Sequence, residues 1–166
     1  MCIVSLFVSL SSGCIRVNND ATLTQQTFEK LVNSIVSKDS EKFDELFSNN
    51  VKNDTNYEAN KKELFELITG EIVNISSAEK SGIGTTKKND VGQIKKILHS
   101  SVVLETSNGK FHIAMNQCTI DTAEPNNIGI ISIYVIKESD RTDTSVYRGE
   151  SQWYSGINIV DVDWNA

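Results

Sequence analysis

Three cysteines and two histidines are the side chains of this 166-residue sequence best suited to covalent, acid–base or metal chemistry: Cys2, Cys14, Cys118, His99 and His112. The segments Gln93–Thr106 and Phe111–Thr122 alternate like two strands, and Ser107-Asn108-Gly109-Lys110 joins them. With Asn-Gly at the centre of a type I′ turn, Ser107 faces Lys110. That register sets His99 opposite Cys118 and Glu105 opposite His112. A thiol against an imidazole is the beginning of an activated nucleophile. Such a site also needs a group to orient the base and donors for an oxyanion, and the spacing supplies neither. The first pair therefore reads as a polar and a small residue on a half-exposed sheet face. Glu105–His112 reads as a surface ion pair worth ~0–1 kcal/mol. Two histidines and one remaining thiol fall short of a zinc ligand set. No catalytic residue, metal or cofactor is assigned.

Cys14 points to a different chemistry. Met1 to Leu10 is apolar and uncharged, and Ser11-Ser12-Gly13-Cys14 follows. An apolar run that closes on small residues has the form of a secretory leader and is too short for the ~20 apolar residues of a membrane span. Cleavage after Gly13 leaves Cys14 as a new N-terminus whose thiol can accept acyl chains. Ser11 stands where a lipobox usually has leucine, and no basic n-region precedes the apolar run. We expect that basic segment upstream of Met1. The organisation expected is a leader over 1–13, a lipidated cysteine and tether over 14–23, and one domain over 24–166. Its location is extracytoplasmic, with the membrane reached through lipid on Cys14.

The formal net charge of −6 falls entirely on the mature part, because the first fourteen residues carry no charge. An acidic domain is a poor fit to nucleic acid, whose phosphates are met by Lys and Arg clusters. It is equally a poor fit to an electrostatic grip on anionic lipid, so anchoring falls to the acyl chains. With Cys2 in the leader and Cys14 lipidated, Cys118 is left without a disulfide partner. Asn53-Asp54-Thr55 and Asn74-Ile75-Ser76 match a glycosylation pattern but read as ordinary loop and strand. Ser81-Gly82-Ile83-Gly84-Thr85-Thr86-Lys87-Lys88 looks like a phosphate cradle, yet it lacks P-loop spacing and leads into a strand rather than a helix. Residues 81–91 are expected to form a mobile loop.

The elements that must position these residues are legible in the apolar spacing. Phe28, Leu31, Val32 and Ile35 mark one face of a helix over Thr24–Ser37. Ser40 caps a short second helix that turns Phe43, Leu46 and Phe47 inward and ends at Asn49-Asn50. A third helix, Asn56–Thr69, carries Tyr57, Leu64, Phe65 and Ile68, with Gly70 at its left-handed end. Strands are expected over Glu71–Ser77, along the hairpin, over Ile128–Ile136, and in a last pair near Val146–Tyr147 and Gln152–Val160. In the hairpin, Leu98, Val102, Leu104, Phe111, Ile113 and Met115 face a core. His99, Ser101, Val103, Glu105, His112, Asn116 and Cys118 form the wetter face. Asp39, Glu41, Asp44 and Glu45 read as a solvated helix face. The fold class is α+β: two to three N-terminal helices packed on a curved antiparallel sheet.

The strings Phe43-Asp44-Glu45-Leu46-Phe47-Ser48 and Leu64 to Val73, the Asn108-Gly109-Lys110 hairpin and Ile128-Gly129-Ile130 resemble a family of small Gram-positive lipoproteins. That family is known as domain of unknown function 5104. The resemblance implies a cystatin-like, nuclear-transport-factor-like cone, in which a bent sheet wraps a helix, and it brings no activity. The leading functional expectation is a non-enzymatic domain that binds a small ligand or a protein with the concave face or the edges of its sheet. One alternative is a cone-fold isomerase or hydrolase with an acid or base in an apolar pocket, for which Tyr57, His99, Asp121 and Tyr134 are the candidates. Another is an immunity-like protective lipoprotein. Cys118 and the aromatic group Tyr147, Trp153, Tyr154 and Trp164 complete the residues that could line a pocket or recognition patch.

Overall fold

A computed structural model describes residues 20–78, 85–141 and 154–160. Four helices come first: α1 (Asp20–Ser37), α2 (Ser40–Asp44), α3 (Asn49–Lys52) and α4 (Tyr57–Leu67). The apolar stripe of α1 works as its spacing predicts, with Phe28, Leu31, Val32 and Ile35 all fully buried. Capping differs in detail. The Asp39 carboxylate, rather than Ser40, accepts from the Lys42 N–H at 3.1 Å and starts α2. Asn49-Asn50 does not end a helix but opens α3, because the Ser48 hydroxyl accepts from the Val51 N–H and caps a further turn. None of the described helices is long and apolar enough to cross a membrane.

Among the described residues six strands make one curved sheet: β1 (Ile72–Ile75), β2 (Thr85–Lys88), β3 (Ile94–Thr106), β4 (Gly109–Asp121), β5 (Gly129–Lys137) and β6 (Gly156–Val160). The path runs β1-β3-β4-β5-β6, with β2 also paired to β3. Three expectations are corrected. Part of the expected loop over 81–91 is strand β2, whose Lys87 and Lys88 pair with Lys95 and Ile94, while 81–84 lie outside the described residues. The sheet is mixed rather than antiparallel, since β6 runs parallel to β5. The chain between Lys137 and Gly156 is long enough for the crossover a parallel pair needs.

The third correction is the hairpin register. Thr106 pairs with Gly109, so Ser107-Asn108, not Asn108-Gly109, is the two-residue loop. Among the described residues the only non-glycine with positive φ is Lys38, so the turn is not type I′. Tertiary bonds displace it: the Ser107 N–H donates to the Glu71 carbonyl at 2.9 Å, and the Ser107 hydroxyl accepts from the Glu71 N–H at 3.1 Å. Gly70, at φ 91, lets that connection approach so closely that a Cβ there would lie 2.5 Å from the Ser107 hydroxyl. From Ile97 to Thr106 every cross-strand partner moves by two positions, which preserves the faces but changes the neighbours, and beyond the irregularity at Lys96/Ile97 it moves by one. His99 faces Asn116, Cys118 faces Ile97, Glu105 faces Lys110, and His112 faces Val103.

The helices cover one face of the sheet, and Val102, Leu104, Phe111, Ile113, Met115, Ile130, Ile133 and Val135 join them in one core. An irregularity in the β4–β5 ladder at Asn116/Gln117 allows Ile130 and Ile133, three apart, to share that face. The opposite face is drier than its polar residues suggest. His112, Asn116 and Cys118 are buried there with Ala114, Tyr134 and Ile136.

Candidate binding site on the outer face of the sheet

Ladder irregularities at Lys96/Ile97 and at Asn116/Gln117 bend the sheet where β3, β4 and β5 run side by side. Irregularities of this kind re-aim side chains and break regular pairing. A hydrogen-bonded row crosses the outer face at this point. His99 Nδ1 lies 2.5 Å from Asn116 Oδ1, and Asn116 Nδ2 donates to the Ser132 hydroxyl at 2.8 Å. A cavity of about 190 Å³ opens beside the row, lined from the sheet by Lys95, Asn116 and Ser132 and from α3 and its cap by Ser48, Asn50 and Val51, with Asn127, Ile131 and Ser155. Carboxamides, hydroxyls and one cation are therefore set into a lining that is mostly apolar.

Asp121 holds two residues of the lining, Asn127 and Lys95, in place. Its Oδ1 accepts from the backbone N–H groups of Ala123 and Glu124 at 3.2 and 2.9 Å, and its Oδ2 accepts from Asn127 Nδ2 at 3.0 Å. Lys95 Nζ lies 3.2 Å from the same oxygen. The bond from Asn127, followed by the Glu124 N–H and Lys95, outweighs the cost of burial and holds the carboxyl at about 2, against an ordinary 3.8. A carboxyl depressed in the folded state stabilises the fold above its unfolded value, and that contribution is lost as pH falls through the folded value. Acid titration of wild type and Asp121→Asn is expected to converge between about pH 4 and pH 2, with wild type the more stable above that window. Equal stabilities at neutral pH would contradict this role.

The other residues singled out from sequence do not converge here. Tyr57 is on the helical side, where its hydroxyl donates to Asp44 Oδ1 at 2.7 Å. Burial first, and then the bond to Asp44, push that phenol far above its ordinary value. Asp44 also receives Lys61 Nζ at 2.9 and 3.0 Å, so it belongs to a helix–helix clamp and not to a solvated face. Burial pulls the Lys61 ammonium down, but Glu58 and Asp44 together leave it above its ordinary value. A depression of about 320 Å³ beside Lys61 is lined by Lys38, Glu58 and Phe65, and its buried cation is already bound on both sides. Tyr134 lies on the outer face, bonded through its hydroxyl to the backbone of half-exposed Tyr154. Burial pushes its phenol up.

Cys118 is 1% exposed, donates to the Ile120 carbonyl at 3.4 Å, and has a thiol pushed up by burial. A buried, protonated thiol is a poor nucleophile. His112 contacts the Glu138 carboxylate and lies 2.9 Å from Arg141 Nη1. Among the described residues no group of three or more His, Cys, Asp and Glu could hold a metal ion. Cys14, Tyr147, Trp153 and Trp164 lie outside the described residues. Sequence reasoning placed Asn116 on the wetter face but gave no role to it, to Ser132, or to Lys95 and Asn127. The available signal was polarity out of place at Ser132, which interrupts Ile130-Ile131 and Ile133 in a strand otherwise apolar, whereas Asn116 sits in a strand that also carries His112, Gln117 and Thr119.

The architecture defines the class: an α+β domain with helices on one face of a mixed sheet and a cavity bounded by α3 and by strands β3, β4 and β5. Residues 30–138 match the family model described as Domain of unknown function (DUF5104). The chain belongs to that family. No curated protein matches it.

Proposed function

We propose that the chain is a non-enzymatic binding domain, held outside the cytoplasm by lipid on Cys14, whose outer-face cavity takes a small neutral polar ligand. The observation that carries the reading is the cavity bounded by Asn116, Ser132, Asn50 and Asn127, whose carboxamides are bonded to one another and to His99, Ser132 and Asp121 but keep second N–H groups and lone pairs for a ligand. Its cation is already matched by Asp121, so hydroxyls or amides suit it better than a strong anion. The helices pack on one face of the sheet, so this reading places the ligand beside α3 and the residues of the other face. Of the acid–base candidates Tyr57, His99, Asp121 and Tyr134, none is among the residues that line the cavity.

The test is ligand-observed NMR with N-acetylated sugars and short peptide amides on the mature domain, repeated with Asn116→Leu/Ser132→Val. Saturation transfer to wild type that is abolished in the variant is expected, with unchanged circular dichroism. Transfer to neither protein, or equally to both, would contradict the reading.

A further inference from the structure

The even-numbered residues of β3 face the helices: Leu98, Ser100, Val102 and Leu104 are buried. Continued backwards, the same series reaches Lys96 and then Ile94. Lys96 Nζ lies 2.6 Å from Asp20 Oδ1, so the first turn of α1 ends over Lys96. The sheet overruns the helix here. Ile94 is 36% exposed, and Ile120, opposite Lys96, is 40% exposed. Val91, in the turn between β2 and β3, is 79% exposed. Apolar side chains on the core-facing side of a sheet have thus been left uncovered at one end.

The chain itself says what lies there. Six peptide units connect Cys14 to Asp20, and at ~3.3–3.6 Å per residue they reach at most about 22 Å. An acylated Cys14 therefore holds the Asp20 end of the domain against the bilayer. From this we infer that Val91, Ile94 and Ile120 form a membrane-docking edge that rests on the lipid surface; the inference depends on the lipid-anchored reading above. Lys95 and Lys96 are paired with Asp121 and Asp20, so apolar contact rather than charge seats the edge. Three exposed apolar side chains bind a bilayer weakly alone, but a short tether supplies a millimolar effective concentration.

Hydrogen–deuterium exchange tests this on the full acylated chain bound to phosphatidylcholine vesicles, with and without phosphatidylglycerol. The reference is Cys14→Ser protein mixed with the same vesicles. Amides of 89–94 and 119–122 are expected to exchange several-fold more slowly in the acylated form, on both vesicle types. Residues 70–76, around the 63%-exposed Val73 at the far end of β3, are expected to be unchanged. Val91→Asp/Ile120→Asp, both at exposed positions, should still float with vesicles and lose the protection. A chain that floats without protecting these amides overturns the docking edge alone. A chain that fails to float with vesicles overturns the anchor and the edge together.

Discussion

Gly129→Ala is expected to destabilise the domain by about 3 kcal/mol or more, from backbone strain added to overpacking. Gly129 has φ 123, a region that residues with a Cβ rarely enter. A Cβ there would lie 2.7 Å from the Ser48 N, 2.9 Å from the Phe47 carbonyl carbon and 3.0 Å from the Leu46 oxygen. These are backbone atoms held in place by the bonds that stitch the helical part to the sheet. Ile130 N–H donates to the Leu46 carbonyl at 2.8 Å, and Ser48 N–H donates to the Ile130 carbonyl at 3.0 Å. Relief of the clash means breaking that stitch, so strain and lost hydrogen bonds fall together. Gly92→Ala is the control: φ is 81, but nothing lies within 4 Å of a Cβ there. Urea unfolding should place Gly129→Ala at least ~2 kcal/mol below Gly92→Ala; near-equal values would contradict the stitch.

The second large effect is expected at Lys61. Its side chain is 6% exposed, and its ammonium bonds both oxygens of Asp44 and one of Glu58 while lying 5.1 Å from the Tyr57 ring centroid. Removing one member of a fully buried ion pair costs ~3–5 kcal/mol. Asp44 keeps 33% of its side chain exposed, so water relieves part of the loss. Lys61→Met is therefore expected to cost about 1–3 kcal/mol. Asp44→Leu/Lys61→Met, which leaves no orphaned charge, should recover part of it. A double-mutant cycle on urea-derived stabilities measures the coupling, and strictly additive values would show that the pair does not clamp α2 to α4.

Legibility in the sequence followed the strength of the local signal. Phe28, Leu31, Val32 and Ile35 repeat at helical spacing, and Leu98, Val102 and Leu104 alternate, so the core and the α+β class were readable without coordinates. The hairpin partners were not. Asn108-Gly109 is a strong local turn signal, but Glu71 and Gly70 capture Ser107 from a distant part of the chain and shift the loop. That shift dissolved the His99–Cys118 pair. The β2 strand escaped notice because Thr85-Thr86-Lys87-Lys88 is polar throughout and is defined by its pairing to β3 rather than by its own pattern. The cavity was illegible for a related reason. It arises where two ladder irregularities bring Lys95, Asn116 and Ser132 together, and register slips leave little trace in composition.

The most direct test of a ligand-binding outer face is a backbone and side-chain amide NMR map of the mature domain during titration with N-acetylglucosamine and with short peptide amides. The account predicts that shifts cluster on Asn50, Lys95, Asn116, Asn127 and Ser132, the residues around the cavity. Shifts confined to the depression beside Lys61 and Phe65, or to no contiguous surface, would contradict it.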